Sequence, residues 1–153
     1  MNKDEFDYRK EDILKSVANR HALRYYAITS NVMALIGKKY AIMFFVHLGQ
    51  VDVFYWKEEN DNIIEYPFDN FIASSVTNDE REGVHWGEGH YNRVLAELQV
   101  FTNTLENHWG DILDGGVGWL KQYNRSKYGY TPRITKKPEV KVIKQLMQEG
   151  YMD

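Results

Sequence analysis

Between Glu88 and Leu113 the apolar positions recur every three or four residues: Tyr91, Val94, Leu95, Leu98, Phe101, Leu105, Trp109 and Ile112. That spacing predicts one amphipathic helix of about seven turns over 88–113. Glu97, Asn103, Glu106 and Asn107 fall off the stripe. A helix this long needs a broad apolar surface to lie on, and the preceding residues offer one. From Leu23 the period drops to two. The runs LRYYAITS, NVMALIG, KYAIMFFVHL and QVDVFYWKE are rich in β-branched and aromatic residues. The breaks at Ser30-Asn31, Gly37-Lys38-Lys39 and Leu48-Gly49-Gln50 are short, so successive strands are expected as antiparallel neighbours in a meander. In the third strand both alternating sets are apolar: Tyr40, Ile42, Phe44 and Val46 on one side, Ala41, Met43 and Phe45 on the other. Such a strand belongs at the centre, covered on both faces.

The remaining pattern is weaker. Asp4 to Arg20 reads as a first helix capped by Asp4, with Phe6, Ile13, Leu14 and Val17 on one face and His21 at its end. Glu58 to Asn62 is a charged turn, Ile63 to Tyr66 a short last strand, and Pro67 opens a brief helix. Thr77 to Gly89 has three glycines and no apolar period, which predicts an irregular connection. Glycine at 115 and 116 should stop the long helix. Residues 124–137 are polar and basic and read as an extended or mobile segment; Pro138 to Glu149 forms a final helix. The fold expected is a single α+β domain over 1–153: a four- to five-stranded antiparallel meander packed against the long helix, with N- and C-terminal helices around it.

Charge changes the picture more than composition does. Residues 1–115 hold 19 acidic against 11 basic residues, and residues 116–153 hold 8 basic against 3 acidic. An acidic body with a basic tail bears on partners and association rates rather than on fold. There is no cysteine, which excludes disulfides, thiolate metal sites and a cysteine nucleophile. The start of the chain is charged and lacks the apolar core of a signal peptide, and the longest apolar run, Tyr40 to Val46, is too short to span a bilayer. A cytoplasmic protein with no membrane partner is therefore expected.

Candidate chemistry is sparse. His85, Glu88 and His90 are donors a first-row metal accepts, but their spacing matches no established zinc pattern, and solvated loop histidines are the plainer reading. His47 and His108 read as structural. No nucleophile elbow, phosphate loop or dinucleotide fingerprint is present. We expect no cofactor and no catalytic residue. Arg125, Lys127, Arg133, Lys136 and Lys137, interleaved with Tyr128 and Tyr130, are the residues a nucleic-acid-binding arm would use, set against an acidic body that repels phosphate.

The order of elements resembles that of small bacterial immunity proteins of polymorphic toxin systems. The likeness runs through Tyr91, Val94, Leu95, Leu98, Leu105, His108-Trp109, Ile112-Leu113, Gly115-Gly116 and Trp119-Leu120: an amphipathic helix, a glycine stop and an aromatic exit. It covers roughly Leu23 to Tyr123. The resemblance implies a protein that binds and blocks a cognate toxin, a nuclease among the options, by occluding its active or substrate-binding site. The acids expected to steer such a partner are Glu58, Glu59, Asp61, Glu65 and Asp69, and the expected anchors are Trp56, Tyr66 and Trp86. A nucleic-acid-binding accessory protein and a small metal-dependent enzyme are the alternatives.

Overall fold

The chain opens with a helix, α1 (Lys3–Arg20), and then builds five consecutive strands: β1 (Arg24–Thr29), β2 (Val32–Ile36), β3 (Tyr40–His47), β4 (Gln50–Glu59) and β5 (Asn62–Pro67). The computed structural model describes residues 1–82, 84, 87–125 and 132–149. Asn2, rather than Asp4, caps α1; its side-chain oxygen accepts the Glu5 amide at 2.8 Å. Two-residue turns set the register of two hairpins, with His47 opposite Gln50 and Glu59 opposite Asn62. Their central residues all have positive φ: Leu48 and Gly49 at +49° and +80°, Asn60 and Asp61 at +51° and +66°. Left-handed residues at both positions match the twist of the flanking strands.

A sixth strand corrects the expected four or five. β6 (Arg133–Ile134), inside the basic segment, pairs antiparallel with β5 and completes the order β1-β2-β3-β4-β5-β6. The α+β class and the meander stand. β3 lies inside the sheet, and both its faces are covered. Ile42 and Phe44 join one core with Leu35, Val53 and Tyr55; Ala41 and Met43 join the other with Ala34, Ile36, Trp56 and Ile63.

The first core is roofed by α1 and by α4 (His90–His108), where Leu98 is fully buried and Phe101 packs at the margin. Phe6 meets Tyr91 and Arg20 meets Glu106, so the two helices run parallel. The single rod over 88–113 is a correction. The helix starts only after Gly89, whose φ of +94° no helix accepts, and it breaks at Trp109 (φ −134°, ψ 35°). The indole donates from Nε1 to Ser75 Oγ at 3.1 Å and packs on Phe71, and Gly110 follows, a poor helix former. One further turn, α5 (Gly110–Leu113), ends at Gly115, with φ +91°.

Between β5 and α4 in the chain come α2 (Asp69–Ala73) and α3 (Asn78–Glu82), the second within a stretch expected to be irregular. Pro67 ends β5 rather than opening α2. α6 (Trp119–Arg125) sets Trp119 and Tyr123 among Tyr55, Tyr66, Phe68 and Phe71, which explains much of the aromatic surplus. The second core is closed by α7 (Val140–Glu149), whose Ile143 and Met147 are buried with Val140 and Leu146 alongside. No helix among the described residues is long and apolar enough to cross a membrane.

Candidate functional site

β4 outruns β5 at its start. Pairing between them begins at Phe54 opposite Pro67, so the first residues of β4 have β3 on one side and, among the described residues, no strand on the other. A backbone amide in that position needs a partner from elsewhere. Glu97, on α4, supplies it: Oε2 accepts the Val51 amide at 3.0 Å. Phe68, on the approach to α2, donates its amide to the Val53 carbonyl at 2.8 Å. These contacts bring α2 and α4 against the same open edge and leave a recess between them.

The recess has a volume of about 280 Å³, and Asp52, Asp69, Glu97 and Arg81 supply its charged lining, with Val100 and Phe101 on the apolar side. Burial pushes the Glu97 carboxyl above its ordinary range, and the charge of Asp52 adds to that; the Val51 amide and the charge of Arg93 oppose it without cancelling it. Burial likewise raises Asp69, helped by Asp52 and opposed by amides at the start of α2. Asp52 thus bears unfavourably on both Asp69 and Glu97, and Arg81 on the same lining offsets only part of the negative charge, so the concavity favours a cation. The volume lies below that of pockets that enclose drug-sized ligands and suits one basic side chain. Among the described residues no group of three or more histidines and carboxylates is arranged to hold a metal ion. Of the metal candidates, His85 lies outside the described residues, and Glu88 and His90 are exposed at the start of α4.

Among the described residues, Asp69 is the one expected partner residue in this recess. Glu58, Glu59 and Asp61 sit at the far end of β4, at the hairpin tip. There Lys57 lies 3.7 Å from Glu59, and Lys144 Nζ donates to the Asp61 carbonyl at 2.5 Å. Three expectations are corrected: Trp56 (0% exposed), Glu65 (0%) and Tyr66 (8%) are interior residues. Trp56 and Glu65 are cross-strand partners on the face that α7 covers, with β6 beside Glu65, and Trp56 Nε1 donates to Glu65 Oε1 at 3.1 Å. Arg133 donates to Glu65 Oε2 from Nε and Nη2, both at 3.3 Å, and Lys137 Nζ reaches Oε1 at 2.5 Å. Glu65 therefore clamps the basic segment to the sheet. Tyr66 belongs to the aromatic cluster with Trp119 and Tyr123. Trp86 lies outside the described residues.

Asp52 and Glu97 escaped the sequence reading. In the sequence Glu97 is only a position off the apolar stripe, and its partner is an amide on a distant strand, so no local pattern marks it. Of the two histidines read as structural, His47 is exposed at the end of β3, whereas His108 is paired, as is His21 at the end of α1. His108 Nε2 lies 2.5 Å from Glu80 Oε1, and His21 sits between Asp114 (2.9 Å) and Glu106 (3.1 Å), joining the ends of α1, α4 and α5.

No protein-family model matches this chain, and comparisons with curated proteins and with solved structures found no match either.

Proposed function

We propose that the protein is a non-enzymatic binding protein that neutralises a cognate toxin by occluding it, and that the recess between β4, α2 and α4 receives a basic side chain of that partner. The observation that carries this reading is the grouping of Asp52, Asp69 and Glu97 in one concavity, with Asp69 and Glu97 raised by burial and by like charge. A cation entering the recess relieves that repulsion, so partner binding and the local electrostatics act in the same direction. The acidic surplus of residues 1–115 steers a basic face toward it. A nuclease, whose substrate cleft is basic, is the kind of toxin this chemistry suits best.

The test is co-expression with the product of the adjacent reading frame. Growth should be rescued, and the two proteins should co-elute as a complex. Asp69→Asn with Glu97→Gln should weaken that complex at least about tenfold, and the wild-type affinity should fall with salt. An adjacent product that is not toxic, or a complex indifferent to both substitutions, refutes the proposal.

A further inference from the structure

Among the described residues, β1 is the outermost strand on its side of the sheet. The hydrogen-bond phase shows which of its amides face outward. Gly37 N–H bonds to Tyr40 O and Val46 N–H to Asn31 O, so the odd-numbered residues of β2 exchange hydrogen bonds with β3. Ala34 and Ile36 then turn toward β1, where they oppose Tyr26 and Arg24. By the same alternation, Tyr25 and Ala27 direct their N–H and C=O groups to the open edge. The register shifts between Ala27 and Thr29, which ends the regular edge there.

Beside this edge runs a groove of about 580 Å³, with Tyr25, Tyr26, Met33, Asp7 and Glu11 among its lining residues. Burial, then the charges of Glu11 and Asp7, push the Tyr25 phenol up to about 12. Lys10 shares the groove, but its ammonium is spent on Asp7 (3.0 Å), the Ser30 carbonyl and the face of Phe6. Its charge cancels that of Asp7. Lys15 lies 3.7 Å from Glu11 in a pair that is about half exposed, a loose contact in water. The groove therefore carries a net negative charge centred on Glu11.

We infer that the β1 edge is a docking site for an extended segment of a partner protein. That segment adds as a seventh strand along Arg24–Ala27 and sets a lysine or arginine beside Glu11 and the Tyr25 ring. Backbone pairing supplies the affinity and the acidic flank selects the side chain. A second copy of this chain fits less well. Antiparallel β1–β1 pairing places the two acidic flanks side by side, with like charges opposed. The site is separate from the acidic recess and does not rest on the function proposed for it.

The probe is a capped peptide of about eight residues alternating valine with threonine and lysine. In the free protein the Tyr25 and Ala27 amides should exchange faster than those of Arg24 and Tyr26. At about 1 mM peptide they should be protected about tenfold or more. Ala27→Pro removes only an outward N–H, so it should keep the fold and abolish binding, whereas Tyr26→Pro should break the β1–β2 ladder. Should Ala27→Pro misfold, a peptide N-methylated at alternate amides asks the same question of the wild-type chain. Glu11→Gln should weaken binding about threefold. The inference is overturned by absence of protection, by equal binding of the N-methylated peptide, or by equal binding of a peptide with glutamate in place of lysine. Edge protection that rises with protein concentration alone also overturns it, since a second copy then holds the edge.

Discussion

Removing the Glu65 carboxylate should loosen the basic segment from the sheet, and the structure sets the size of the effect. Glu65 is fully buried and accepts from Trp56 Nε1, Arg133 and Lys137. In Glu65→Ala the indole N–H, interior and 0% exposed, loses its acceptor, which costs about 1–3 kcal/mol. The two cations fare differently. Arg133 is 70% exposed and Lys137 28%, so both can turn to water and their lost pairing adds only about 0–1 kcal/mol each. The total, about 3 kcal/mol, lies at the low end of the roughly 3–5 kcal/mol typical of breaking a fully buried pair because only one side of this one is buried. For a chain of this length that lowers Tm by roughly 6–12 °C. Glu65→Gln keeps an acceptor for the indole and should lose roughly half as much. Thermal unfolding gives the magnitude, and hydrogen exchange gives the place. The Thr135 amide, bonded to Ile63 O at 2.9 Å, should lose protection before the β3–β4 ladder does. A Tm within about 2 °C of wild type, or a lower Tm with Thr135 protection unchanged, refutes the clamp.

Asp69→Asn should leave the protein at least as stable near neutral pH. The folded state holds the Asp69 proton more tightly than the unfolded state does, so stability declines as pH rises through the window just above the ordinary aspartate value, and denaturant titrations should find that decline reduced in the variant. Glu106 has the opposite sign. Its hydrogen bond from Arg20 holds it below the ordinary glutamate range, so the stability it contributes is present above that range and lost as pH falls through it. Acid unfolding of Glu106→Gln should show a shallower loss there. Leu48, 83% exposed at φ +49°, occupies a left-handed position that asparagine adopts at lower cost, so Leu48→Asn should raise the denaturation free energy by about 1 kcal/mol, and a decrease would show that the side chain packs on something.

Elements with dense local signals were legible. The three breaks between Leu23 and Trp56 fall where the chain turns, and the double apolar register of β3 foretold a strand buried on both faces. What escaped depends on partners remote in sequence. β6 contributes only Arg133 and Ile134 and is strand-like because Ile64 and Glu65 lie beside it. α3 (Asn78–Glu82) has no apolar period; Glu80 secures it by reaching back to the Thr77 amide at 3.0 Å, a capping interaction hidden among acids. The break at Trp109 was masked because Trp109 and Ile112 keep helical spacing across it. Glu65 was misread for a similar reason. A glutamate in a strand next to a charged turn suggests solvent, and only the strand and helix that later cover it turn that face inward. The recess was legible through Asp69 alone, since Asp52 and Glu97 join it by tertiary contact.

The charge asymmetry along the chain takes on a different meaning once its partners are known. Five surplus positive charges after residue 115 invite a nucleic-acid reading. Yet Arg133 and Lys137 meet Glu65, and Lys144 meets the Asp61 carbonyl. The charges of Arg133, Lys137 and Lys144 thus serve to hold the tail on the sheet. The groups it engages are the Glu65 carboxylate in β5 and the Asp61 carbonyl in the turn before it, whereas Asp52, Asp69 and Glu97 gather at the start of β4. Two kinds of substitution should then separate cleanly. Lys137→Ala should lower thermal stability and leave the salt dependence of partner association unchanged, because its charge acts within the fold. Neutralising Asp69 and Glu97 should flatten that salt dependence at little cost in stability. A Lys137→Ala variant that keeps its Tm but loses affinity for a polyanion would place the arm outside the fold and return the nucleic-acid reading to first place.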